Sequence, residues 1–132
     1  MGDSTLPYTL TFEEHSNYLY ACVTAERIDR DTALDYLRKV ADRVTDSDHE
    51  RLMLERDIPV MLQDSDLFFT TRDFLAMIGH TRVAFVNAHH DIHEEMNFAM
   101  MIGTNRGANY RLFLNREAAE EWLTAGMKPA DA

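Results

Sequence analysis

Hydrophobic and polar positions follow two periods along this chain, one typical of strands and one typical of helices. Residues 8–13 and 18–25 alternate apolar and polar side chains, and the short turn between them predicts a β-hairpin. Apolar runs at 51–55, 83–86 and 110–114 predict three further strands. Because helical segments separate these later strands, we expect them to run parallel through right-handed crossovers.

Four segments carry apolar residues at helical spacing, and each begins near a residue type that favours a helix N-terminus. The predicted caps are Asp29 or Asp31 for the first helix, Asp64 or Ser65 for the second, Asp91 for the third and Asn115 for the fourth. Asp91 precedes Glu94 at capping-box spacing. The order of elements predicts an α/β fold with a mixed sheet of about five strands and about four helices. We expect a single domain over residues 8–126, with a flexible lead-in at 1–7 and a tail at 127–132.

Composition and charge restrict the class of protein. The 132 residues are 45% hydrophobic and carry a net charge of −10, which fits a globular domain and disfavours nucleic acid or an anionic membrane as partner. The one cysteine, Cys22, excludes an internal disulfide, and its place in the middle of a strand predicts a small buried hydrophobe. The sequence shows neither a secretory leader nor an apolar run long enough to span a membrane, so we expect a cytoplasmic protein.

Polar residues cluster just after the strand at 83–86, where open sheets commonly bind ligands. The candidate ligand-binding or partner-binding residues there are Asn87, His89, His90, Asp91 and His93. His89 and His93 are four residues apart, a spacing that can bind zinc on a helix. The HExxH pattern is absent and no cysteine stands nearby, so this pair is only a weak metal candidate and a solvated loop is the alternative. We predict no metal site and no cofactor.

The segment Asp64, Ser65, Asp66 is the second candidate binding site. A serine at a helix start lies near free backbone N–H groups, which stabilise a phosphate, although the ordinary alternative is an N-cap. Arg106 is a third candidate, either for anion recognition or to oppose the helix dipole. No GxSxG motif and no glycine-rich phosphate loop is present, so we predict no catalytic residue.

Three short segments together resemble a known family of proteins. Ala84-Phe85-Val86 in a strand, Asn105-Arg106-Gly107 at a helix end and Trp122-Leu123 in the last helix resemble the SpoIIAA-like family of bacterial proteins. Over residues 8–125 this resemblance implies a STAS-type fold, akin to anti-sigma-factor antagonists and also similar to lipid-binding CRAL-TRIO domains. In true antagonists a partner kinase phosphorylates a serine at the start of the second helix. The resemblance carries that role to Ser65, although residues 66–69 replace the glycine-containing segment that follows the serine in the family.

The resemblance implies a non-enzymatic regulatory module that acts by binding a protein partner. The alternative is a domain that binds a small molecule, such as a lipid or another apolar ligand, and the third reading is an enzyme that uses the His89–His93 region. We also expect a homodimer, because two helices carry more apolar residues than one buried stripe needs. Those residues are Phe68, Phe69, Met100 and Met101.

Overall fold

The computed structural model describes residues 7–87 and 89–126, and within these ranges five strands form one mixed sheet with four α-helices. The strands are β1 (Thr9–Glu14), β2 (Leu19–Thr24), β3 (Arg51–Asp57), β4 (Arg82–Asn87) and β5 (Asn109–Phe113). The helices are α1 (Arg30–Ser47), α2 (Asp64–Ile78), α3 (His93–Thr104) and α4 (Arg116–Leu123). The strands lie in the order β1-β2-β3-β4-β5, with β1 antiparallel to β2 and the other pairs parallel. The predicted α/β architecture is confirmed.

The sheet separates two hydrophobic cores, because successive strand residues point to opposite faces. Leu52 and Leu54 of β3 join the larger core, to which α1, α2 and α3 contribute. Met53 joins the smaller core with Ala119 and Leu123 of α4. In the same way β2 is covered on both faces, whereas Cys22, predicted to be buried, is only half-buried.

Two of the predicted helix caps are confirmed. The Asp29 side chain accepts a hydrogen bond from the Thr32 N–H at 2.8 Å, and Asn115 accepts one from the Ala118 N–H at the same distance. Such bonds satisfy backbone donors that the first helical turn leaves free. Both α1 and α4 therefore begin at side chains that the sequence identifies.

The predicted caps of the other two helices are wrong. At the start of α2 the cap position is Gln63, so Asp64 and Ser65 lie inside the first turn, and no side chain caps this helix. At the start of α3 the predicted cap Asp91 lies inside a 3₁₀ turn, His90–Ile92. A hydrogen bond from the Ile92 N–H to the His89 carbonyl, 3.2 Å long, closes that turn. The backbone at Asp91 is therefore in a 3₁₀ turn, and the predicted capping box is not formed.

Strand β3 is longer than the apolar run that predicted it. It continues to Asp57 because it pairs on both sides, and Arg56 lies opposite Asn87 of β4. The extension brings charged and polar side chains to the carboxyl edge of the sheet.

The predicted tail and all of the predicted lead-in except Pro7 lie outside the described residues. Across the described ranges, no helix is long and apolar enough to cross a membrane.

Candidate functional site

A compact polar cluster lies where β3 and β4 end. His89 Nε2 lies 2.7 Å from an Asp57 carboxylate oxygen, which joins the ends of the two strands. Asn87 donates from Nδ2 to the His89 carbonyl at 3.0 Å and accepts the His89 N–H at 3.2 Å. The sequence-predicted residues Asn87 and His89 are therefore brought together, and Asp57 is a member of the cluster that the sequence analysis missed.

Asn87 acts as the buried support of this cluster. Its side chain is fully buried, and both the nitrogen and the oxygen of its amide bond the backbone of His89. A buried amide without partners would cost free energy, so this reciprocal pair fixes the start of the loop after β4. His89 is half-buried and Asp57 is exposed, so the imidazole and the carboxylate lie at the surface while their support lies inside.

Arg56 is a second residue missing from the sequence-based candidates, because the predicted strand ends at residue 55. It is only 4% exposed, and its guanidinium donates to the Ile58 carbonyl at 2.9 Å and to the Val60 carbonyl at 2.7 Å. Arg56 therefore shapes the loop between β3 and α2. A signal was available, since Leu52, Leu54 and Arg56 keep the two-residue period of a strand face.

The predicted binding residues at the start of α2 are accessible. Asp64 and Ser65 are exposed, and Asp66 is half-buried with a carboxylate oxygen 4.0 Å from Arg30 Nη1. The Ser65 hydroxyl lies at the positive end of the α2 dipole, but it makes no capping hydrogen bond to the helix. An exposed hydroxyl with acidic neighbours is the main feature of this segment.

The histidines after β4 do not converge on a metal. His90 and Asp91 are exposed in the 3₁₀ turn, whereas His93 is half-buried and its Nδ1 is buried without a hydrogen-bond partner among the described residues. Over residues 7–87 and 89–126, no group of three His, Cys, Asp or Glu side chains is arranged to hold a metal ion. The spacing of His89 and His93 reflects one residue in a loop and one at a helix start.

His89 and Asp57 resemble the base and the acid of a catalytic triad, but among the described residues no nucleophile bonds the imidazole. Within the described part of the chain, the ring of His89 bonds the Asp57 carboxylate, and no hydroxyl or thiol bonds it. Nucleophilic catalysis requires such a group within hydrogen-bond distance of the base.

Arg106 packs on an aromatic ring and does not join the cluster at the strand ends. Its guanidinium carbon lies 4.6 Å from the centroid of the Phe68 ring. Phe69 is covered in a similar way by Arg30 at 5.1 Å and Arg72 at 4.9 Å. These cation–π contacts cover the rings of Phe68 and Phe69, which were predicted to contribute to a dimer interface.

Met100 is not available for the predicted dimer interface either, because its side chain lies in the core and is only 9% exposed. Of the four residues behind the homodimer prediction, only Met101 stays largely exposed, at 50%. Phe98, on the same helix, is 37% exposed. Of the predicted interface, the outward face of α3 is thus the part that stays exposed.

Comparison with known proteins supports the fold. The chain is similar in structure to an anti-sigma factor antagonist from Mycobacterium paratuberculosis, with a TM-score of 0.64 and 15% sequence identity over 88% of this chain and 93% of that chain. No family model and no curated protein matches the sequence. The chain therefore has a STAS-type α/β fold, and the resemblance to SpoIIAA-like proteins is confirmed at the level of the fold.

Proposed function

We propose that this protein is a regulatory module that binds a partner protein through the carboxyl edge of its sheet. The surface consists of the exposed residues Asp57, Val60, Asp64, Ser65 and Asp91, here called the carboxyl rim. The observation that carries the proposal is the STAS-type fold, shared with a protein described as an anti-sigma factor antagonist. We propose the same class of partner here, an anti-sigma factor.

The chemistry of the rim indicates what kind of partner surface fits. Three of its five residues are aspartates, and the whole chain carries a net charge of −10. Val60 is an exposed hydrophobic residue among them, 41% exposed. A basic surface with a small apolar centre would complement this arrangement, since charge complementarity sets association rate and specificity.

Ser65 is the position at which we propose that this surface is modified. Its hydroxyl is exposed in the first turn of α2, where the helix dipole favours a negative group. Asp64 and Asp66 oppose a phosphate by repulsion, while Arg30 lies 4.0 Å from the Asp66 carboxylate and offers a counter-charge. We expect Ser65→Glu to change partner affinity and Ser65→Ala to leave it nearly unchanged.

Site-specific photo-crosslinking in cells of the source organism tests the proposal. A photoreactive residue at position 65 should capture one partner, whereas the same residue at Asp46 should not. Asp46 is exposed near the end of α1, at the opposite edge of the sheet. Equal capture from both positions, or capture from position 46 alone, would contradict the proposed surface.

The purified partner then allows a matched affinity measurement. Asp64→Lys should weaken binding by about tenfold or more and lower the association rate, because rim charges steer encounter. Asp46→Lys makes the same change in net charge away from the rim and should have little effect. If both variants weaken binding equally, general charge and not the carboxyl rim governs recognition.

We also propose that the protein forms a homodimer through the outward face of α3. Phe98 and Met101 supply the exposed apolar side chains of that face. Met101→Lys should shift the sedimentation coefficient to that of a monomer, since a charge in an apolar interface is costly. Wild-type protein that sediments only as a monomer at micromolar concentration would refute the dimer.

A further inference from the structure

A cavity of about 60 Å³ lies between the sheet and the helices α1, α2 and α3. Its wall is mostly apolar and includes Leu54, Leu67, Phe74, Ala99 and Met100. Ile28, Met61 and Leu62 also line it and are half-buried, so its outer wall consists of side chains that reach the surface. Met61 is flexible enough to move aside for a ligand.

Arg56 places a positive charge in this mostly apolar wall. Two of its N–H groups bond the carbonyls of Ile58 and Val60, but a guanidinium has five donors. Among the residues the structure describes, no carboxylate lies within ion-pair distance of Arg56, whereas the buried phenol of Tyr36, which also lines the cavity, lies beside it. A buried cation without an anion is unusual, because charges inside proteins are normally paired.

Tyr110 contributes a hydroxyl group without a hydrogen-bond partner in the described part of the chain. It lines the cavity from β5 and is 5% exposed, and its hydroxyl has no hydrogen-bond partner within residues 7–87 and 89–126. Burial raises the pKa of this phenol, so the hydroxyl keeps its proton and remains a donor. Most buried polar groups have a partner, so an unpaired donor in a cavity wall indicates an acceptor supplied from outside the chain.

We propose that this cavity is a binding site for a short-chain carboxylic acid. The carboxylate pairs with Arg56, the hydrocarbon chain fills the apolar wall, and Tyr110 donates to a ligand oxygen. A dry apolar cavity of about 150 Å³ holds benzene, which has six non-hydrogen atoms, so a cavity of about 60 Å³ accommodates roughly two to three of them as it stands. Butyrate has six non-hydrogen atoms and therefore requires the half-buried Met61 to move aside, and a long lipid chain would require a much larger rearrangement.

The site is distinct from the carboxyl rim, so the two proposals fail independently. The rim is an exposed acidic surface, whereas the cavity is mostly apolar, carries one cation and lies under the helices. A partner that binds the rim says nothing about a ligand in the cavity. Ligand binding likewise needs no partner protein.

Titration of the full chain with three probes of similar shape tests the proposal. Sodium butyrate should produce saturable shifts in the backbone NMR signals of Thr70, Ala99 and Tyr110, which line the cavity. Butyramide should bind at least about tenfold more weakly, because it loses the charge-assisted hydrogen bonds, and butylammonium should not bind. No saturable shift with butyrate, or equal affinity for all three probes, would overturn the assignment.

Substitutions then locate the interaction. Arg56→Gln should reduce butyrate affinity by about tenfold or more, whereas Arg38→Gln removes the same charge from the exposed face of α1 and should leave affinity unchanged. Tyr110→Phe keeps the ring and should weaken binding severalfold. Equal effects of Arg56→Gln and Arg38→Gln would show that general charge, not the cavity, attracts butyrate.

A filling variant covers the case in which Arg56→Gln does not fold. Ala99→Val adds two carbons to the cavity wall while it keeps every polar group. It should retain the folded NMR spectrum and abolish the butyrate shifts. Unchanged butyrate binding in folded Ala99→Val would place the ligand elsewhere and overturn the proposal.

Discussion

The guanidinium of Arg82 lies over the ring of Trp122, with 4.0 Å between its carbon and the ring centroid, and its Nη2 donates to the Trp122 carbonyl at 2.6 Å. Arg51, which pairs with Arg82 across β3 and β4, donates to the carbonyl of Leu123. Two arginines thus bind the last carbonyls of α4, where a helix leaves acceptors unsatisfied and its dipole is negative. Burial, followed by the charge of Arg51, lowers the pKa of Arg82.

Arg82→Met should reduce the free energy of unfolding by about 1–3 kcal/mol, since it removes a charged hydrogen bond and a cation–π contact. Trp122 is the only tryptophan, so its fluorescence reports the change directly. Urea denaturation followed at Trp122 measures the loss, and the folded emission spectrum should shift to the red. Arg38→Met, which removes an exposed arginine, is the control, and an equal loss in both variants would contradict the assigned role.

Gly103 lets α3 pack closely on β5. A Cβ at this position would lie 2.7 Å from Cδ2 of the Tyr110 ring, which is too close for any real contact. Gly103→Ala should therefore destabilise the protein by about 1–3 kcal/mol, although alanine is the better helix former.

A double-mutant cycle with Tyr110→Leu separates these two effects. In the Tyr110→Leu background the clash is relieved, so Gly103→Ala should cost markedly less. Thermal or urea unfolding of the four proteins provides the cycle. Additive free-energy changes would mean that the Tyr110 ring does not restrict position 103.

Alkaline pH should unfold this protein through its tyrosines. All five have pKa values raised above 10, with burial as the main cause, and the pKa of Tyr18 is raised to about 12 by burial and its hydrogen bond to Glu120. Unfolded phenols lose protons near pH 10 while the folded ones keep them, so the unfolded state is favoured as pH rises. The stability present below pH 10 should fall as pH rises from 10 towards 12.

Urea midpoints measured across this pH range check the prediction, and phenolate absorbance follows ionisation. Tyr18→Phe should make the decline shallower, because one raised phenol pKa is removed. Phenols that ionise near pH 10 while the far-ultraviolet circular dichroism stays native would contradict the expectation.

Helix caps offer a matched pair of substitutions. Asn115→Ala should lower the free energy of unfolding by about 1 kcal/mol, because it removes the acceptor of the Ala118 N–H. Ser65→Ala should change it by less than about 0.5 kcal/mol, because Ser65 does not cap α2. Urea denaturation of both variants decides the point, and a Ser65→Ala cost as large as that of Asn115→Ala would show that Ser65 caps the helix in solution.

Much of the fold is readable from local pattern, as the caps Asp29 and Asn115 illustrate, because alternation and capping act over a few neighbouring residues. The prediction that Asp91 caps α3 was wrong because a competing 3₁₀ turn uses the same backbone groups. Asp57 became part of the candidate site only through its contact with His89, which lies 32 residues further along the chain. No local pattern encodes such a pair, since it depends on which strands become neighbours in the sheet.

The strand order has a consequence for how the chain folds during its synthesis. Each strand pairs with the strand that precedes it in the sequence, so the sheet grows from β1 to β5 at a single edge. No strand has to wait for a later segment in order to be inserted between two others. A chain that leaves the ribosome from its N-terminus can therefore add each strand and its crossover helix in turn, and the growing edge is exposed only until the next strand arrives.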